Sequence, residues 1–220
     1  MEHKDKNISI NKLKELIGTY NPTTTTLNSG YLYNKGSKYR NIETWEQKII
    51  VSYCPEEIYN LKKVLICDCD GILTDGNLGY FNSGKSYKSY GCHDHEMIKL
   101  LKNCGWEICF VTNDKSGYDI TKNRVKDLGC SVVLASPMDR KKTVEAYSDD
   151  GYIVAFFGDS PSDLPAAMKA DYRYTTTNCF NPIKGYFHYV SKSEGGHGGF
   201  AECAFHLITA LHRHCVGVII

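Results

Sequence analysis

Val64-Leu65-Ile66-Cys67-Asp68-Cys69-Asp70-Gly71-Ile72-Leu73-Thr74-Asp75 decides how this chain is read. Four apolar residues make a short buried strand, and the strand runs straight into two carboxylates two positions apart. Side chains alternate along a strand, so Asp68 and Asp70 are expected on one face and Cys69 on the other. At the carboxyl end of a parallel strand, that face opens on the crevice where open α/β sheets bind ligands. Two carboxylates gathered there suit a divalent cation held by oxygen, or an acid–base pair. An acidic turn would also use Asp and Gly, so the surrounding sequence has to decide.

Outward from this segment, strands and helices alternate from about Leu61 to Cys215. Short apolar runs bounded by turn residues predict strands at Val64–Cys67, Ile108–Thr112, Val132–Leu134, Ile153–Gly158, Tyr172–Thr175 and His188–Val190. Helices are expected at His95–Asn103, Tyr118–Leu128, Lys141–Ser148, Leu164–Ala170 and Phe200–His212. This alternation predicts an α/β fold, a doubly wound, Rossmann-like parallel sheet with helices on both faces. Leu78–Phe81, the turn Asn82-Ser83-Gly84 and Lys85–Tyr87 read as a β-hairpin placed to cover the acidic strand end as a flap.

Residues 1–60 form an extension of different character, leaving 61–220 as the main domain. Ile10, Leu13, Leu16 and Ile17 follow Ser9 at helical spacing. A loop-like stretch runs to Arg40, and Ile42, Trp45, Ile49 and Ile50 suggest a second amphipathic helix.

Composition narrows the function classes. A net charge of +1 provides no field for attracting nucleic acid. No signal peptide or long apolar span is visible, so a cytoplasmic protein without a membrane partner is expected. The ten cysteines contain no C-x-x-C pair. Cys92, His93 and His95 are too tightly bunched for a usual structural zinc site, and the thiols are read as reduced.

Three more segments supply chemistry. Cys109–Thr112 ends in a hydroxyl and is followed by the Asn113 amide. Asp139-Arg140-Lys141-Lys142 brings cations to a helix start, which makes sense beside an anion. Phe156-Phe157-Gly158-Asp159-Ser160-Pro161-Ser162-Asp163 is a second strand that runs into acid. Gathering Asp68, Asp70, Asp159 and Asp163 without a cation would be electrostatically unfavourable. Mg²⁺, a hard ion that takes carboxylate oxygen, resolves the conflict.

The order D-x-D-G-x-L-T-D, strand-Thr, Lys, G-D-x-x-x-D resembles the four motifs of the haloacid dehalogenase-like phosphohydrolases. Asp68–Gly76, the hairpin and Lys88-Ser89-Tyr90 resemble the capless branch, that of the 3-deoxy-D-manno-octulosonate 8-phosphate phosphatases. Gly195-Gly196-His197-Gly198-Gly199 is similar to the glycine-rich stretch before that family's last helix.

The resemblance implies a phosphoric monoester hydrolase with no large cap domain. Asp68 would be the nucleophile that becomes an aspartyl-phosphate. Asp70 would be the acid–base that also offers its carbonyl to Mg²⁺. Thr112 and Asn113, with Lys141 or Lys142, would hold the phosphoryl group, and Asp159 and Asp163 would serve the metal. It also implies a homo-oligomer, such as a tetramer, whose neighbouring subunit acts as lid; the apolar tail Val216–Ile220 suits association.

Two departures stand out. Thr112-Asn113-Asp114 replaces the branch's more usual Thr-Gly-Arg, and His197 replaces an Arg. Lys85, Lys88 and His93 are the cations available to substitute. The expected substrate is a small phosphorylated sugar or sugar acid. A nucleotide or polynucleotide phosphate, for which the aromatic flap offers stacking, and a weakly catalytic binding or scaffold role are the alternatives.

Overall fold

Strand-forming runs become strands largely where β-branched and aromatic residues cluster. A computed structural model of the chain describes residues 49–51, 60–211 and 217–219. Its strands are β1 (Ile49–Val51), β2 (Lys63–Asp68), β3 (Gly79–Phe81), β4 (Gly84–Tyr87) and β5 (Trp106–Thr112). They continue with β6 (Ser131–Leu134), β7 (Ile153–Phe157), β8 (Tyr172–Thr175), β9 (Tyr189–Val190) and β10 (Gly217–Ile219). The helices are α1 (Asp94–Asn103), α2 (Tyr118–Asp127), α3 (Pro137–Asp149), α4 (Leu164–Ala167) and α5 (Gly199–Leu211), with a 3₁₀ turn at Asn181–Tyr186.

Six strands form one sheet in the order β6-β5-β2-β7-β8-β9, every pair parallel. The chain builds outward from β2 to β6, then crosses back to lay β7 on the other side of β2. That reversal makes the β2/β7 boundary the switch point, with a crevice beyond the strand ends. β2 and β7 are buried along their whole length, as strands covered on both faces must be.

Alternate residues of these strands feed two cores. Val64, Ile66, Val154 and Phe156 pack with Val144 of α3 and Ala166 and Ala167 of α4. On the opposite face, Phe200 of α5 meets Phe110 at 6.2 Å and Phe157 at 5.9 Å between ring centroids. Truncating such a buried phenylalanine costs about 3–5 kcal/mol.

β3 and β4 form the separate antiparallel hairpin. A bridge between Thr74 and Tyr90 ties its base to the loop after β2. Two expectations change. The run Ile49-Ile50-Val51 is not helical; it pairs antiparallel with Gly217–Ile219, as β-branched residues favour. Helix α3 begins at Pro137, four residues before Lys141. The helix expected over Ile10–Ile17, like Ile42 and Trp45, lies outside the described residues. The eight described cysteines form no disulfide.

Candidate active site

β2 ends at Asp68, and the chain then turns, with the Leu73 and Thr74 amides both donating to the Cys69 carbonyl at 2.9 and 3.1 Å. Strand alternation therefore stops before Asp70. The two acids line the same pocket, of about 250 Å³, but their carboxylates face different partners. Gly71 sits at φ +80°, and a Cβ there would fall 1.9 Å from Asp159 Oδ2. Only glycine lets the two acidic strand ends close on each other.

The inner partners come from β7 and α3. Asp68, Asp159 and Asp163 each offer an oxygen within 4.8 Å of the others. Arg140 Nη2 lies 3.2 Å from Asp68 Oδ1, and Nη1 donates to Asp163 Oδ1. Arg140 Nε donates to the Ala135 carbonyl at 3.3 Å, so the guanidinium is held from three sides. Asp163 Oδ2 accepts from the Asp159 and Ser160 amides at 3.2 and 3.1 Å and from Ser160 Oγ at 2.7 Å. Both oxygens of Asp163 are thus engaged, and it braces the Asp159 loop and Arg140 from behind.

Charge in this inner group is unbalanced. Burial, then the Asp163 charge, pushes the Asp68 carboxyl well above its usual range despite Arg140. Burial, with Asp163 and Asp70 nearby, pushes Asp159 up to about 7. Arg140 is held protonated by Asp68 and Asp163 although burial opposes it. Three carboxylates around one guanidinium fit a hard divalent cation, with Mg²⁺ as the match by charge and oxygen donors.

Of the cations at this helix start, Arg140 lines the pocket, where Lys141 or Lys142 was expected. Ser136 caps α3: its hydroxyl accepts from the Asp139 amide at 3.2 Å while Asp139 accepts from the Ser136 amide. Pro137 occupies the first turn. With that start, Arg140 and Val144 share the buried face one turn apart. Lys141 turns to Glu145 at 3.7 Å, Lys142 is exposed, and neither lines the pocket. The signal was present as Ser-Pro-x-Asp, a capping box with proline inside the start.

The opposite wall is made by the end of β5. Thr112 is buried and Asn113 exposed, and both line the pocket. The Thr112 hydroxyl accepts from the Asp114 amide at 3.1 Å, which leaves its own proton for another acceptor.

An outer group lies toward the flap. Lys88, its side chain fully buried, reaches Asp70 at 2.7 Å, Asp114 at 2.8 Å and the Thr121 hydroxyl at 2.9 Å. Lys85 reaches Asp114 at 2.6 Å. Burial works against a charged Asp114, yet Lys85 and Lys88 hold it below the ordinary carboxylate range. Burial also opposes the Lys88 charge, which Asp114 and Asp70 sustain. His93 and His197 are exposed and do not line the pocket.

A third layer fixes the loop after β2. Thr176 Oγ1 and Asn178 Nδ2 donate to the Gly71 carbonyl at 2.9 and 3.3 Å, and Asn178 Oδ1 accepts from the Gly195 amide at 2.9 Å. A Cβ at Gly195 would meet the Gly71 carbonyl oxygen at 2.1 Å, so the glycine-rich stretch packs directly on that loop.

No family model matches the chain. It is 26% identical over 165 residues to the 3-deoxy-D-manno-octulosonate 8-phosphate phosphatase KdsC of Haemophilus influenzae, covering 73% of this chain and 90% of that protein. A structure described as a putative phosphatase of the same kind from Vibrio cholerae has 28% identity and a TM-score of 0.63 over 74% of this chain and 90% of that one. The Moraxella catarrhalis phosphatase, solved in complex with magnesium ion, phosphate ion and KDO, has the same fold at 24% identity and a TM-score of 0.60. That match covers 71% of this chain and 93% of the other.

Proposed function

We propose that this chain, whose homologues and structural neighbours are KdsC-type phosphatases of the haloacid dehalogenase superfamily, is a Mg²⁺-dependent phosphomonoesterase for a small phosphorylated sugar. The observation that carries the proposal is the inner group at the β2/β7 switch point. There, Asp68, Asp159 and Arg140 face Thr112 and Asn113 across one small pocket.

In this reading Asp68 attacks phosphorus and the bond to the sugar oxygen breaks, leaving an aspartyl-phosphate. Asp70, oriented by Lys88, gives its proton to the departing oxygen. It then takes a proton from the water that hydrolyses the intermediate. Arg140, Thr112 and Asn113 bind the phosphoryl oxygens, on which charge spreads as the group transfers. Arg140 thereby takes the role expected of Lys141 or Lys142. Asp68 and Asp159, with the Asp70 carbonyl, would hold Mg²⁺, and Asp163 would fix Asp159. Mg²⁺, when bound, supplies positive charge that relieves repulsion between nucleophile and substrate.

The test is phosphate release from a panel of sugar phosphates with Mg²⁺ and with chelator. Release that depends on Mg²⁺ is expected; none from any ester would reject the activity. The proposal extends to a homo-oligomer in which the exposed Tyr80, Phe81 and Tyr87 of the flap meet a neighbouring subunit. A monomeric mass in light scattering would reject that extension.

A further inference from the structure

The outer group is a chain of contacts from the flap to the acid: Lys85 to Asp114 at 2.6 Å, Asp114 to Lys88 at 2.8 Å and Lys88 to Asp70 at 2.7 Å. Lys88 is the link that touches Asp70. Its ammonium also donates to Asp70 Oδ2 and to the Thr121 hydroxyl, both at 2.9 Å. A lysine reaches out on a flexible four-carbon stem, so its own chain does little to aim it. Asp114 and Thr121 do the aiming here. Asp114 is fixed in turn by its own loop: Oδ1 accepts from the Gly117 amide and the Ser116 hydroxyl, each at 3.0 Å, while Oδ2 meets Lys88.

We propose that Asp114 is a positioning residue for phosphoryl transfer: through Lys88 it holds the Asp70 carboxyl in the direction from which it protonates the leaving oxygen. The inference rests on the phosphomonoesterase reading and adds a residue to it, at the place where Thr112-Asn113-Asp114 departs from Thr-Gly-Arg. The support does not depend on the charge of Asp70. A protonated carboxyl donates through one oxygen and still accepts through the other, so Lys88 holds one oxygen while the second delivers the proton. Lys85, paired with the same Asp114, ties strand β4 of the flap to this support. An error of about 1 Å in such an aim costs about 10²-fold. Loss of one of the two supports of Lys88 should cost part of that.

The experiment measures kcat/KM for phenyl phosphate and p-nitrophenyl phosphate, esters of similar size whose leaving oxygens differ in basicity. Phenolate leaves poorly without a proton and p-nitrophenolate leaves readily, so the ratio of the two reads proton delivery. Asp114→Asn keeps an acceptor for the Gly117 amide that Asp114 now binds at 3.0 Å. It should lower kcat/KM for the phenyl ester by about tenfold more than for the nitrophenyl ester. Thr121→Val, which removes the other support of Lys88, should move the ratio in the same direction by less. In an Asp70→Asn background, Asp114→Asn should leave the ratio where it is, because the two residues act as one unit. Acetyl phosphate against 3-deoxy-D-manno-octulosonate 8-phosphate gives the same reading if the aryl esters are refused.

Equal losses on both esters would overturn the inference, since a merely structural role lowers the two alike. A shift in the ratio that persists without Asp70 would overturn it as well. If Asp114→Asn does not fold, Thr121→Val decides, and a ratio that it leaves unchanged overturns the inference. Failure of wild type to hydrolyse any of these esters or any sugar phosphate is a different result and would reject the activity itself.

Discussion

Two charged groups share one pocket and differ in their arithmetic. Inside, Asp68, Asp159 and Asp163 surround one cation, Arg140, and carboxyl groups are driven toward protonation. Outside, Asp70 and Asp114 are matched by Lys85 and Lys88, and Asp114 stays ionised readily. A deficit of positive charge in a buried site marks a place built to receive some. A balanced group marks a place whose work is orientation and selection.

Breaking the inner group should have the largest effects. Asp68→Asn should lower turnover by at least about a thousandfold with the fold retained by circular dichroism; near-normal turnover would refute a covalent route through Asp68. Arg140→Ala should lower kcat by several hundredfold, on the scale of losing a main charge-stabilising donor (about 10²–10³). It should also cost about 3–5 kcal/mol of stability, since the buried Asp68 and Asp163 would lose the cation paired with them. Denaturant titration reads the second quantity.

The pH dependence sharpens the contrast further. With Asp159 raised to about 7, the folded, metal-free protein holds a proton that the unfolded chain has released above the usual carboxylate pKa near 4. Stability contributed by that proton is present at low pH and lost as pH rises through about 7. The melting temperature of metal-free wild type relative to Asp159→Asn should therefore fall between pH 5 and pH 8. Mg²⁺ should reverse the fall in wild type alone. A flat difference would contradict the charge deficit. The smallest effect belongs to Lys141→Ala and Lys142→Ala, whose turnover should stay within about threefold of wild type, as surface charges away from the pocket allow.

What could be read from the sequence was what is local. The apolar runs before Asp68 and Asp159 located both strand ends, because strand composition and the acids are contiguous; the switch point between them needed the strand order. The helix cation that lines the pocket was not singled out, because α3 was expected to begin at Lys141. Its Ser136-Pro137 cap starts the helix earlier and brings Arg140 inside it, one turn before the buried Val144. The outer group was beyond local reading. Lys85 and Lys88 come from the flap and Asp114 from the end of β5, and only the fold of the hairpin onto α2 and β5 brings them together. Nothing in a run of Lys-Ser-Tyr says that its ammonium will be buried.

The switch point also has a consequence for how the chain assembles. Asp68 ends β2 and Asp159 follows the end of the adjacent β7, yet β5, β6 and their helices lie between them in the sequence. No partly folded species that lacks docked β7 can offer the cation both carboxylates. Mg²⁺ should therefore act as a clasp fastened late, slowing unfolding while leaving the early steps of folding at their own pace.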